Sequence, residues 1–482
     1  MAVRTAGALL MGAIALSPLA AEAPASRLQQ GIDAILARPA FAPAWWGIEV
    51  RSLESGAVLY SFNAQKNLKP ASTLKLVTTA AALDALGPGA RLRTSVETAG
   101  QLDGEGRLLG DVYLVGRGDP TLGERASGVR SAEALAELAA AMRAAGVRSV
   151  EGRIVGHEGL FTGERRGADW SWEDLTWSYG AEVSALSFGA NRCELLVSPG
   201  ERAGDPVVVE RSPASSYYSV LSTATTTASG SEADLTLARP AGTNLVRLSG
   251  SLPAGQGPQT LTVALEDPAR YAASVFVETL KAGGIPVAGP VATSSEPLPL
   301  DLRVLAWHDS EPIAEILQRV NKHSQNLHAE ALLRLLGKQA RGEGSVEAGV
   351  EAERDFLARA GVVADAWSLR DGSGLSRSDT LSPRGLVDLL VAMDKHPHAR
   401  AFRESLAIAG VDGTLEHRMR GTPAQGRVLA KSGSLRDVDA LAGYAQARSG
   451  ERLAFAVVVN HHSLPGREAA AAIDEICSLM AD

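Results

Sequence analysis

The chain has 482 residues, 45% of them hydrophobic, and a net charge of −8 from 47 Lys and Arg against 55 Asp and Glu. That length can bury more than one core, so two or three domains are expected. An acidic balance without basic patches lacks the electrostatic footprint of a nucleic-acid binder, which excludes that class.

The first element is an export signal. Arg4, an apolar stretch over residues 6–20 and the small residues ending in Ala21-Glu22-Ala23 read as a secretory signal peptide at residues 1–23. Pro24 directly follows the Ala-x-Ala, so cleavage after Ala21 stays open as well. The apolar run falls short of a membrane span and no later stretch is long enough to cross a bilayer. The expected product is an exported chain without a transmembrane anchor, with membrane contact at most peripheral.

Residues 45–53 and 57–62 read as two strands. After them Ser72-Thr73-Leu74-Lys75 opens an alanine-rich stretch whose next residues, Leu76 to Leu83, are too apolar for a solvated surface and suit the centre of a domain. On a helix, residues three apart share a face, which brings the Lys75 amine within reach of the Ser72 hydroxyl. A serine hydroxyl is a weak nucleophile until a base takes its proton, and a lysine is that base once burial and nearby positive charge favour its neutral form.

Residues 89–296 turn to short strands rich in glycine, threonine and serine, with helices at 131–145 and near 268–282. They read as a β-rich insertion between two halves, 24–88 and 297–482, of one discontinuous catalytic domain. Within the insertion, Gly116-x-Gly118 does not open a helix after its strand, which removes a dinucleotide-binding reading.

Beyond it, Ser324-Gln325-Asn326 lies between predicted helices at 311–320 and 327–336. Structurally this is the turn and N-cap that such a helix needs. Chemically, Ser324 offers a hydroxyl to relay a proton and Asn326 an amide to bond a peptide. A strand at 426–435 then carries Lys431-Ser432-Gly433-Ser434-Leu435. A glycine inside a strand marks the close approach of another backbone or of a ligand, and a substrate lying along the strand would account for it. Strands at 438–448 and 452–460 continue the sheet and a helix at 467–480 closes the chain. The class is therefore α/β (α+β), a sheet flanked by helices and formed from both chain ends.

The two cysteines, Cys193 and Cys477, supply neither a metal cage nor a disulfide framework. Separate buried thiols are expected, with one long-range bridge as the alternative. Nine histidines, His323 and His328 among them, include no His-Glu-x-x-His pattern, so neither a metal nor another cofactor is expected.

The order of Ser72/Lys75, Ser324/Asn326 and Lys431-Ser432-Gly433 resembles the elements of penicillin-binding proteins and serine β-lactamases. The long gap from Lys75 to Ser324 resembles, more closely, the class C low-molecular-mass penicillin-binding proteins, the D-alanyl-D-alanine carboxypeptidase/endopeptidase family. Gly116-Arg117-Gly118-Asp119, Tyr179-Gly180-Ala181-Glu182, Asp371-Gly372-Ser373-Gly374 and Gly410-Val411-Asp412-Gly413-Thr414-Leu415 fit that family too. The resemblance implies a transpeptidase-like catalytic domain with two domains nested in the insertion, an acyl-enzyme on Ser72, and peptidoglycan stem peptides as substrates. It also implies covalent inhibition by β-lactams and a periplasmic location. Lys75 would be the base, and Ser324, Asn326 and Lys431 would complete the catalytic set. Ser432, Gly433, Ser434, Arg377 and Leu435 would bind substrate, with Ser432 on its terminal carboxylate, while Asp371 and Asp412 would stabilise loops.

Two departures from the family stand out. Ser432 replaces a usual threonine, which keeps the hydroxyl and frees its rotamer. Where the family tends to carry an aspartate in the insertion, this chain reads Gly156-His157-Glu158-Gly159-Leu160-Phe161. The alternatives are a secreted serine β-lactamase or esterase, and a non-catalytic peptidoglycan-binding protein.

Overall fold

The computed structural model describes residues 26–124, 131–364, 367–464 and 467–482. The signal peptide read at residues 1–23 lies outside the described residues. The two ends of the chain together build a six-stranded antiparallel sheet in the order Ala407–Ile408, Val428–Leu435, Val438–Gln446, Arg452–Asn460, Trp45–Ser52, Val58–Phe62. The two N-terminal strands thus complete a sheet started by the C-terminal ones.

Both faces of this sheet are covered, and the strand Arg452–Asn460 shows how its sequence arranges that. Leu453, Phe455, Val457 and Val459 enter one core with Ile32 and Ile35 of the helix Arg27–Leu36 and Ile473 and Ile476 of the helix Glu468–Ala481. The alternate residues, Ala454 and Ala456, enter a second core with Leu76, Val77, Leu386 and Leu390. The two-residue period of a strand sends the large side chains one way and the alanines the other. That second core surrounds the helix Lys75–Leu86, whose residues from Lys75 to Leu83 are all buried. A helix apolar all round has to be enclosed on every side, and the helices Ile313–Lys322, Asn326–Arg341 and Val346–Arg359 pack against it.

Between the two halves the chain forms further sheets around a core of its own, running from Val96 to Ala306. One has five strands in the order Val291–Ser294, Ile154–His157, Val112–Gly116, Arg93–Thr98, Arg303–Asp309. The others are the trio Val208–Ser212, Arg192–Ser198, Gln259–Ala264, a set gathered on Leu245–Pro253, and the small sheet Gln101–Leu102, Arg107–Leu109, Ser149–Val150. The outgoing and returning chains meet where the Ser310 amide donates to the Leu92 carbonyl and the Leu92 amide to Ser310 Oγ.

Cys193 is buried in the insertion's core and Cys477 in the core under the C-terminal helix, so the long-range bridge does not form. Among the described residues, no helix is long and apolar enough to cross a membrane.

Phe455 is fully buried in the middle of the central strand. Phe455→Ala is expected to cost about 3–5 kcal/mol of stability, measured by denaturant unfolding.

Candidate active site

Ser72 stands on a 3₁₀ turn, Ala71–Leu74, and Lys75 is the first residue of the α-helix that continues it. In a 3₁₀ turn the side chains at i and i+3 eclipse, which brings hydroxyl and amine closer than an α-helix would. Lys75 Nζ lies 2.9 Å from Ser72 Oγ.

Two segments with glycines grip this turn. A Cβ on Gly374 would stand 2.0 Å from the Ala71 carbonyl oxygen, and Gly374 also has φ +75°. A Cβ on Gly433 would stand 2.8 Å from the Pro70 carbonyl oxygen and 2.9 Å from the Ser72 nitrogen. The glycine inside the strand Val428–Leu435 is therefore accounted for by the backbone of the nucleophile turn; no substrate is needed to explain it.

Lys75 is fully buried, and its amine meets two more oxygens: Asn326 Oδ1 at 2.7 Å and the Ser373 carbonyl at 2.6 Å. Both can only accept, because Asn326 Nδ2 is committed as a donor to the Tyr179 carbonyl at 2.9 Å. With Ser72 Oγ they make three oxygens around the amine; in its neutral form the two N–H bonds go to these two acceptors and the lone pair is left for the Ser72 hydroxyl. Burial agrees, pushing the Lys75 pKa down to about 7 against the opposing pull of Asp371, Glu330 and Asp379.

Two of those opposing carboxyls are themselves driven toward neutrality. Burial and the nearby Asp371 raise Glu330 to about 7, and burial with the same neighbour raises Asp379 well above the usual carboxylate range. Asp371 heads the carboxyls that oppose this shift, and burial of the amine outweighs all three. Glu330 Oε1 accepts the amides of Gly372 and Ser373 at 2.9 and 3.0 Å, and Asp371 accepts those of Gly374 and Ser376, both at 2.7 Å. Thr78 Oγ1 donates toward the Gly372 carbonyl at 2.8 Å. This clamp aims the Ser373 carbonyl at the lysine.

The second lysine, Lys431, is also fully buried; its Nζ donates to Ser324 Oγ at 3.0 Å and to the Ser432 carbonyl at 2.6 Å. Burial and the charge of Lys75 hold its pKa well below that of a free lysine. Ser324 has φ +58°, an uncommon conformation for a non-glycine residue, and neither it nor Asn326 caps the following helix, whose N-cap is Gln325. The segment is thus the turn and N-cap position expected before the helix, with Gln325 at the cap and no side-chain cap bond.

A cleft of about 430 Å³ opens over these groups, lined by Ser72, Ser324, Asn326, Arg377, Ser434 and Leu435 together with Glu173, Asp174, Trp177, Tyr179 and Arg436. Ser432 is half-buried beside it with its hydroxyl 2.7 Å from Thr414 Oγ1. Asp412 bonds the Ile408 amide at 2.7 Å and pairs with Lys322, and Asp371 holds its own loop, so neither faces the reacting serine. Sequence reasoning had not singled out Ser373, Glu330, Glu173, Tyr179 or Thr414 individually. The carbonyl of Ser373 leaves no residue-type signal at all, whereas Glu330 shares the face of Asn326 at helical spacing.

The D-Ala-D-Ala carboxypeptidase 3 (S13) family matches residues 28–479. The chain is 39% identical over 472 residues to a D-alanyl-D-alanine carboxypeptidase of Actinomadura sp. (strain R39), covering 95% of this chain and 86% of that protein. It is 26% identical over 423 residues to the D-alanyl-D-alanine carboxypeptidase DacB of Haemophilus influenzae, covering 86% and 85%. The crystal structure of penicillin binding protein 4 (dacB) from Haemophilus influenzae matches with a TM-score of 0.80 at 25% identity, over 93% of this chain and 97% of that one.

Two outcomes follow from the geometry. If the neutral Lys75 amine is the form the reaction needs, hydrolysis of a D-Ala-D-Ala peptide should fall about tenfold per pH unit below about 7 and level off above it; kcat/KM across pH 5–9 measures this. Gly374→Ala should slow acylation by about 100-fold, since displacing the nucleophile turn by an ångström is enough to do so, with circular dichroism reporting whether the fold is kept.

Proposed function

The chain belongs to the D-Ala-D-Ala carboxypeptidase 3 (S13) family and so to the class C low-molecular-mass penicillin-binding proteins, and from that premise we propose a serine acyl-enzyme mechanism centred on Ser72. The observation that carries it is the fully buried Lys75 amine, with two carbonyl-type acceptors on its N–H bonds and Ser72 at 2.9 Å.

In this reading Lys75 takes the Ser72 proton as the hydroxyl attacks the carbonyl of the penultimate D-alanine of a stem peptide. The backbone amides of Ser72 and Ser434 stabilise the oxyanion, a contribution of about 3 kcal/mol per donor. Ser324, with Lys431 behind it at 3.0 Å, relays the Ser72 proton from Lys75 to the departing amine, giving up its own hydroxyl proton as it takes the one from Lys75. Asn326 orients Lys75 and bonds the peptide, and Ser432 binds the terminal carboxylate. Gly433 acts by letting the strand approach the nucleophile turn. Water then releases the shortened peptide.

The cleft lining carries Glu173 and Asp174 together with Arg377, Arg436, Leu435 and Trp177, which supports a side-chain site that meets both signs of charge. The Arg436–Glu173 pair at 3.0 Å is solvent-exposed and exchanges readily for a ligand's charges. The same chemistry cleaves a cross-link when the leaving amine belongs to a neighbouring stem peptide, so DD-endopeptidase activity is part of the proposal, as are acylation of Ser72 by β-lactams and export to the periplasm. Drawn at Leu92 and Ser310, the domain division keeps the strand Arg303–Asp309 with the insertion whose sheet it joins.

Digests of purified muropeptides followed by liquid chromatography test this. Pentapeptides should lose one D-alanine and D,D-cross-linked dimers should yield monomers, and Ser72→Ala should abolish both. Loss of D-alanine with dimers left intact would remove the endopeptidase part, and unchanged turnover in Ser72→Ala would remove the mechanism.

A further inference from the structure

Ser432 stands in the strand at the position read as the carboxylate-binding hydroxyl, and it lacks the β-methyl that would hold its rotamer. Its Oγ lies 2.7 Å from Thr414 Oγ1, and either oxygen can be the donor. The two directions differ in consequence. If Ser432 donates, its only proton is spent on Thr414 and none remains for a substrate carboxylate; if Thr414 donates, the Ser432 proton is free to point into the cleft.

The loop carrying Thr414 is firmly placed for this. Asp412 accepts the Ile408 amide at 2.7 Å and pairs with Lys322, at the end of the helix that leads to Ser324. Gly413 has φ +59°, and a Cβ there would stand 2.6 Å from the Lys322 carbonyl oxygen. Leu415 is fully buried in the core below. Thr414 is thus presented at a fixed height over Ser432 by contacts with the segment that also positions Ser324. Being β-branched, it brings its own restricted rotamer to the contact.

We propose that Thr414 is a positioning residue for substrate binding: it donates its hydroxyl proton to Ser432 Oγ, fixing the serine rotamer and leaving the Ser432 proton for the terminal carboxylate of the peptide. The hydrogen bond does here what a β-branched residue at 432 does by sterics. The proposal rests on the reading of Ser432 as the carboxylate-binding residue, and its test separates the two.

The experiment is steady-state hydrolysis of an N-acylated tripeptide ending in D-Ala-D-Ala by the full mature chain and four variants: Thr414→Val, Ser432→Ala, Ser432→Thr and the double Thr414→Val/Ser432→Thr. Thr414→Val should raise KM threefold to tenfold with kcat changed by less than twofold, and adding Ser432→Thr to it should bring KM back to within twofold of the parent. A loop displaced by the valine would not be repaired by a methyl on the neighbouring strand, so this rescue distinguishes positioning from a structural role. If Ser432→Ala raises KM while Thr414→Val leaves it unchanged, or if Ser432→Thr fails to rescue the valine variant, the role of Thr414 is overturned. If Ser432→Ala itself leaves KM unchanged, the carboxylate reading of Ser432 is the part that falls, and the proposal with it.

Discussion

A lysine amine sealed away from water, where burial outweighs the pull of the carboxyls around it, is the constraint around which this molecule is organised. Desolvation of Lys75 disfavours its cation and outweighs the opposing pull of Asp371, Glu330 and Asp379, the last two of which are themselves raised by burial. Keeping such a group enclosed requires an apolar helix with packing on every side, and the helix Lys75–Leu86 has it. The same enclosure fixes the amine among three oxygens, Ser72 Oγ among them. In the proposed mechanism, folding and activation of Ser72 share one physical cause.

The insertion takes part in this arrangement and is not an ornament. The Tyr179 carbonyl commits the Asn326 amide, which fixes the orientation of the oxygen facing Lys75. Trp170 Nε1 donates to Asp371 Oδ2 at 2.8 Å, steadying the loop that aims the Ser373 carbonyl. Glu173, Asp174, Trp177 and Tyr179 then form one wall of the cleft. A segment inserted between the two halves of the chain therefore supplies both part of the support around Lys75 and part of the cleft lining.

Much of this was legible in the sequence because the decisive residues carry chemical signatures. Ser72 and Lys75, the apolar run after them, and the strands that end the chain lie where spacing and periodicity placed them, with the helix Pro268–Ala282 and the strand Arg452–Asn460 matching to the residue. What escaped was contact without signature. The Ser373 carbonyl is a backbone atom, the 3₁₀ character of the nucleophile turn depends on tertiary packing, and Gly433 looks the same in sequence whether a ligand or a neighbouring turn occupies its empty side. The strand Arg303–Asp309 joins a partner about two hundred residues away in sequence, a pairing that no local pattern encodes.

Localising the covalent adduct tests the central claim most directly. After exposure to benzylpenicillin, tryptic peptide mapping by mass spectrometry should place a single penicilloyl group on Ser72, with no adduct in Ser72→Ala and a greatly slowed one when Lys75 is replaced by methionine. An adduct on another residue, or equal labelling with methionine at position 75, would contradict the account.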